Sequence, residues 1–364
     1  MKIGEIISFL ESWAHPSLQE HYDNAGLITG DAGWECKGII CSLDATEEVI
    51  NEAIGKKCNL IVAHHPIIFG GLKKINGKNY VEKAVISAIK NDMAIYAIHT
   101  NLDNVINGVN GKMAAMLGLQ NVSILSPKAQ TLKKLFTFVP VDKAEQVRNA
   151  IFAAGGGHIG NYSECSFNAE GEGTFKAGEG ADPYVGNIGK RHFEKELKVE
   201  VILPSYLEGK IAAAMKAAHP YEEVAYDVVE LSTADSRIGS GLLGELPVSM
   251  DESAFLTRLK EIFGLKMIRH TRFSGRQVRK IALCGGAGSF LISKALASGA
   301  DAFITADMKY HEFFDANDRM LVADIGHYES EQFTINLLHE VLERKFPTFA
   351  VLKTTMETNP VLYF

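Results

Sequence analysis

Short apolar runs recur along the chain, and most are followed by a stretch with helical spacing. The runs are Gly38 to Leu43, Asn59 to Ala63, Met93 to Ile98, Lys280 to Cys284, Ala302 to Thr305 and Leu321 to Ile325. Four to six apolar residues without polar alternation predict strands buried on both faces. The amphipathic stretches Tyr80 to Asn91, Phe290 to Ser298 and Glu331 to Arg344 predict the intervening helices. Alternation of such strands and helices implies an α/β layer architecture.

The middle of the chain follows another rhythm. Leu135 to Val139 reads as a strand, and Lys143 to Ala154 as a helix stopped by Gly155-Gly156-Gly157. Tyr162 to Ala169 and Glu196 to Leu203 alternate as half-buried strands do. Leu207 to Ala218 is an alanine-rich helix, and Val224 to Leu231 a last strand. Six glycines between Glu170 and Gly189 predict a mobile loop or hairpin. The order β-α-β-β-α-β is the ferredoxin-like pattern. The expected organisation is a discontinuous α/β domain, residues 1–128 and 237–364, interrupted by a ferredoxin-like domain at 129–236. Such insertions are tolerated because domain termini often lie close together.

Composition narrows the function classes. The 364 residues exceed one ordinary domain, and 46% hydrophobic with 22% charged is a globular balance. The formal charge of −7 is spread thinly, which argues against a nucleic-acid partner needing a basic face. Five scattered cysteines form no CxxC pair, so neither a disulfide framework nor a zinc ribbon is expected. The longest charge-free apolar stretch, Ile281 to Ser293, is short of the roughly 20 residues a bilayer demands. Acidic Glu5 and Glu11 spoil a signal-peptide reading. The expectation is a cytoplasmic protein with no membrane segment.

Three clusters carry candidate chemistry. His64-His65-Pro66 ends one apolar run, His99-Thr100-Asn101-Leu102-Asp103 follows another, and His327-Tyr328-Glu329-Ser330-Glu331 follows a third. Each alone is ordinary, since a strand-to-helix turn often carries Asp or His only as a cap. All three lie at the C-terminal ends of buried strands, the edge where open α/β sheets bind ligands. His327 and Glu331 are four apart and share one helix face. Three imidazoles and two carboxylates, His64, His65, Asp103, His327 and Glu331, suit zinc, iron or manganese. Five donors exceed the needs of one tetrahedral ion, so two divalent ions per chain are expected. His64 and His65 should diverge toward different ions, and His99 is an outer group or an extra ligand.

Other residues admit bland readings. Gly285 to Ser289 is either a tight strand–helix turn or an amide cradle for an anion. Asp307, Lys309 and His311 either line the same cavity or are solvated residues at a helix start. Asp44 ends a strand and could support a ligand, and Asp23 could approach through a turn. Cys284 reads as a small buried residue, not a nucleophile. His158, His192 and His219 read as surface or packing residues.

Together the His-His-Pro, His-Thr-Asn-Leu-Asp and His-Tyr-Glu-Ser-Glu motifs, in this order, resemble the Nif-three-like family. Its bacterial members are called GTP cyclohydrolase 1 type 2 homologs. Asp23 to Leu27, Leu43 to Thr46, Cys284 to Gly288 and Thr355 to Pro360 are similar to it as well. The central insert is similar to that of longer members, which carry a domain like PII and CutA proteins. One departure is Ala306, where the family pattern has glycine. The resemblance implies a dinuclear site on His64, His65, Asp103, His327 and Glu331. It also implies a homohexamer, a ring of dimers with the sites facing an internal cavity. The family name suggests hydrolysis of GTP, but no residue here recognises guanine. The expected function is metal-dependent hydrolysis of a nucleotide or other small anionic substrate. The alternative is a non-catalytic metal-binding, delivery or regulatory module.

Overall fold

The computed structural model describes residues 1–364, which divide into two compact units, Met1–Pro127 with Ser236–Phe364 and Lys128–Asp235. The larger unit contains two sheets. The first runs, in spatial order, Gly26–Thr29, Ala94–Ala97, Leu60–Ala63, Ile39–Ser42 and Val351–Lys353. Four of these strands are parallel, and Gly26–Thr29 pairs antiparallel at the edge. The three inner strands are buried at every position, as unbroken apolar runs require. Helices Glu47–Gly55 and Tyr80–Lys90 cover them, started by Thr46 and Asn79, whose side chains accept the N–H of Val49 and Glu82. Val49, Ile50, Ala53, Ala84, Val85 and Ala88 form the buried stripe.

The second sheet runs Arg269–His270, Leu321–Asp324, Ala302–Ala306, Gln277–Ala287, Gly239–Asp251 and Gln120–Pro127. Its parallel heart is the trio 277–287, 302–306 and 321–324. The two halves of the chain exchange strands. Val351–Lys353 closes the first sheet, while Gln120–Pro127 forms an edge of the second. Pro127 pairs with Gly239, so the chain leaves and re-enters this unit at neighbouring positions. That geometry is what lets a whole domain be inserted there.

In the smaller unit the strands Leu132–Pro140, Phe167–Lys176, Arg191–Pro204 and Tyr226–Glu230 alternate with helices Ala144–Ala153 and Glu208–Ala218. The sheet order is 167–176, 191–204, 132–140, 226–230, antiparallel throughout, the ferredoxin-like arrangement. One core of Leu135, Val139, Val147, Ile151, Val199, Val201 and Ile211 holds it together.

Several elements differ from the sequence expectation. The strand expected at Tyr162 to Ala169 begins only at Phe167 and extends through Gly171 and Gly173 to Lys176. It pairs with a 14-residue strand, Arg191–Pro204, much longer than Glu196 to Leu203. Glycine carries no helix-or-strand pattern of its own, so the ladder to the partner strand decided the outcome. The strands Gln120–Pro127 and Gly239–Asp251, which flank the insertion, were not among the strands expected from the sequence. Glu331 to Arg344 is not one helix but two, His327–Glu331 and Thr334–Lys345. No helix is long and apolar enough to cross a membrane.

Candidate metal centre

Backbone pairing carries each cluster just past a strand end. His64 and His65 donate their N–H groups to the Ser42 and Leu43 carbonyls (3.2 and 2.9 Å), continuing the parallel ladder one step beyond Ala63. His64 is fully buried. Its Nδ1 lies 2.8 Å from the Ile98 carbonyl. A carbonyl only accepts, so Nδ1 carries the hydrogen and Nε2 presents a lone pair. That lone pair faces Asp103 Oδ1 at 3.7 Å and Glu331 Oε2 at 3.9 Å. Both His64 Nε2 and Asp103 Oδ1 are buried without a hydrogen-bond partner.

His65 and His327 repeat the arrangement with carboxylates. His65 Nδ1 meets Asp44 Oδ1 at 2.8 Å, and its Nε2 meets Glu331 Oε2 at 2.9 Å. His327 Nδ1 meets Asp307 Oδ2 at 2.7 Å, and its Nε2 meets the same Glu331 oxygen at 3.0 Å. His99 Nδ1 is held by Asp23 Oδ1 at 2.7 Å. Asp23 also accepts from the Thr100 N–H and hydroxyl, which binds it to the start of the short helix Thr100–Asp103. Each imidazole is thus gripped at Nδ1, and ring orientation is set by the protein.

The donors fall into overlapping groups. His64, Asp103 and Glu331 form one, and His65, His327 and Glu331 another, with donor atoms within 4.8 Å of one another in each. His64, His65 and His99 form a third. The structure therefore brings together all five residues singled out from the sequence. His64 and His65 each join a different group with Glu331 and share the third with His99.

Charge follows from this packing. Burial depresses His64 to about 3, so it stays neutral. Burial works the same way on His65 and His327, but Asp44 and Glu331 raise the former to about 10, and Glu331 and Asp307 raise the latter to about 9. Burial also pushes Glu331 upward, yet the hydrogen bonds from His327 and His65 hold it well below the usual carboxylate range. Asp103 is driven well above that range by burial and by the Glu331 charge. Opposed charges gathered in one cluster are what a divalent cation would replace, displacing protons as it binds.

The loop after Gln277–Ala287 makes room for Glu331. Gly286 has φ +61, and a Cβ there would lie 2.4 Å from Glu331 Oε1 and 3.4 Å from His327 Cε1. The N–H groups of Gly285, Gly286 and Gly288 go to Asn110 Oδ1, Ser330 Oγ and Thr305 Oγ1. These three amides are engaged within the protein, which favours the turn reading over the anion cradle. Cys284 is buried and burial pushes its thiol up, consistent with a packing role.

Asp307, read from the sequence either as lining the cavity or as solvated, grips His327 while its side chain stays 54% exposed. Its signal was the one used elsewhere, a carboxylate just past a buried strand, here Ala302–Ala306. Asp44 and Asp23 stand behind His65 and His99, while His311 and Lys309 lie outside these donor groups. In the smaller unit His219 packs with Nε2 on the Phe138 carbonyl and His192 pairs with Glu194. Beside the donors a cleft of about 380 Å³ is lined by Tyr22, His65, Phe69, His99, Phe290 and Glu331.

Comparison with known proteins places this geometry in context. The pattern of the Duf34/NIF3 (NGG1p interacting factor 3) family matches residues 1–360. A Halalkalibacterium halodurans protein named GTP cyclohydrolase 1 type 2 homolog is 39% identical over 371 residues, covering 100% of both chains. A Bacillus subtilis protein of the same name is 36% identical, covering 99% of this chain and 98% of that one. The crystal structure of a Bacillus cereus protein related to NIF3 superposes with a TM-score of 0.87 at 38% identity, covering 100% of this chain and 99% of that chain. With motif order, fold and full-length similarity in agreement, the chain belongs to the Duf34/NIF3 family.

Proposed function

We propose that the chain is a dinuclear divalent-metal hydrolase acting on a nucleotide or similar small anionic molecule. The observation that carries this reading is the pair of buried, unpartnered atoms, His64 Nε2 and Asp103 Oδ1, aimed into the same space as Glu331. A buried polar atom without a partner is costly, and a cation between them removes the cost. His64 and Asp103 would hold one ion, His65 and His327 the other, with Glu331 shared. Zinc, iron or manganese suits this nitrogen and oxygen donor set. When bound, such ions supply Lewis acidity and lower the pKa of water toward neutrality.

The chain's own residues perform the rest. Asp44, Asp307 and the Ile98 carbonyl hold the imidazoles with Nε2 facing inward. His99, steadied by Asp23, lines the cleft and is the residue suited to take up or return a proton at Nε2. Tyr22, Phe69 and Phe290 stand at the cleft more than half exposed, a surface on which a flat base would stack. An open cleft beside the donors favours catalysis over storage, which needs no substrate access. The name of the relatives points to GTP, and the aromatic rim is compatible with a purine. A hexameric ring is part of this proposal and rests on the family resemblance.

The test is to purify the chain, load it with each metal and screen nucleotides, phosphodiesters and cyclic amides. Metal-dependent turnover that His99→Gln slows and Glu331→Gln abolishes is expected. Full metal occupancy with no turnover of any class would favour the delivery module instead. Light scattering on the same sample checks the hexamer.

A further inference from the structure

The Lys128–Asp235 unit carries a cavity of its own, about 770 Å³, that the metal centre does not use. Its floor is the sheet face opposite the buried core. Leu135, Val139, Val199 and Val201 face the core, so by alternation Phe138, Lys198 and Glu196 face the cavity. Two glycines of the Phe167–Lys176 strand complete the floor. A Cβ at Gly171 would meet nothing within 4 Å, while one at Gly173 would lie 2.1 Å from Glu196 Oε2. Glycine inside a strand weakens it, and commonly marks a place where another molecule approaches the backbone.

The wall is aromatic and fixed. Tyr221 donates its hydroxyl to Glu196 Oε1 at 2.8 Å and its N–H to His219 Nδ1 at 3.1 Å. His219 in turn donates Nε2–H to the Phe138 carbonyl at 3.0 Å. Phe175 and Tyr184 flank the Tyr221 ring at 6.1 and 6.2 Å between centroids. Glu196 is only 8% exposed, so a carboxylate sits against aromatic rings with little water.

Charge selects the occupant. Glu170, Glu172, Glu196, Glu222 and Glu223 line the cavity against two lysines, Lys176 and Lys198. Lys198 is itself committed to Glu200 at 2.6 Å and to the face of the Phe136 ring. An excess of carboxylates repels phosphates and other anions, whereas aromatic faces and a desolvated carboxylate attract cations. We propose that this cavity binds a small organic cation, an alkylammonium or guanidinium group seated against Tyr221, Tyr184 and Phe175 with Glu196 as its counter-charge.

The experiment is isothermal titration of the full-length chain with tetramethylammonium, butylammonium and guanidinium, with ATP and glucose as controls. Saturable binding of at least one cation is expected, weakened about tenfold in both Glu196→Gln and Tyr184→Ala. Tyr184 is 47% exposed, so its truncation should leave the thermal melt unchanged and keeps the test clear of misfolding. The proposal is overturned if no cation saturates, if ATP binds in preference, or if both variants bind as tightly as the parent. It is equally overturned if the two substitutions alter only the oligomeric state, which would make this face an interface between copies.

Discussion

The metal centre and the cavity of the inserted unit both gather carboxylates beside aromatic or imidazole rings, by different means. At the metal centre, strand ends of two sheets supply the rings, and each Nδ1 is tied to an acceptor, so the Nε2 atoms converge on Glu331. In the inserted unit one sheet face supplies the floor, Tyr184 and Tyr221 from connecting segments join Phe175 in an aromatic wall, and a single carboxylate, Glu196, is buried among them. The first would suit a small divalent ion of borderline softness that demands placed nitrogen and oxygen donors. The second offers area and diffuse negative charge, which suits a larger, softly held ion. What separates the two is the number of hydrogen bonds spent on orienting each ring.

That contrast can be broken most severely at Glu331. Because it belongs to two donor groups, Glu331→Gln should remove both ions, whereas His327→Ala should remove mainly one; elemental analysis should read a fall from about two ions per chain. Equal losses in the two variants would sink the shared-carboxylate assignment. Next come the residues behind the ring nitrogens. Asp44→Asn and Asp307→Asn should each weaken metal affinity about 10–100-fold in a competition titration, since they orient His65 and His327. Unchanged affinity would mean the grip on Nδ1 is incidental.

Glycines sharpen the comparison further. Gly286→Ala places a methyl against Glu331 at φ +61 and should cost about 1–3 kcal/mol in a denaturant melt. Gly173→Ala meets the Glu196 carboxylate but has ordinary strand backbone without the positive φ of Gly286, so it should cost less. The reverse order would show that the inserted cavity, not the metal centre, is the tighter construction.

The smallest effect expected is pH-dependent and lies outside both cavities. Burial favours the neutral form of Glu52, but hydrogen bonds from Lys56, Thr354 and Thr355 outweigh it and hold the carboxyl at about 2. A folded pKa below the unfolded one adds stability above roughly pH 4.3 that fades as pH falls toward 2. Glu52→Gln should therefore be less stable than the parent at neutral pH, with the gap closing in acid. A gap that persists at low pH would point to lost packing of the 351–353 strand.

The donor set was legible because three buried strands end in histidine or carboxylate, and apolar runs locate strand ends without knowledge of partners. Asp307 was harder, since nothing local separates a carboxylate gripping His327 from one facing water. For the stretch through Gly171 and Gly173 the sequence left a loop and a hairpin as alternatives, because glycines lack side chains to alternate; the pairing with Arg191–Pro204 is the hairpin. The edge strand Gln120–Pro127 and its neighbour Gly239–Asp251 were hidden for a related reason: half-exposed strands carry weak patterns.

The sequence by itself determined the α/β alternation, the ferredoxin-like order of the insert, and which imidazoles and carboxylates stand at strand ends. Periodicity is a local property, and burial on both faces leaves an unbroken apolar run. Only the tertiary structure decided that Glu331, 266 residues from His65, is bonded to it, that the Gly285, Gly286 and Gly288 amides are already engaged, and that Glu196 lies beneath an aromatic wall. Those facts depend on which strand pairs with which, and a pairing between distant segments is set by the packing of the whole chain.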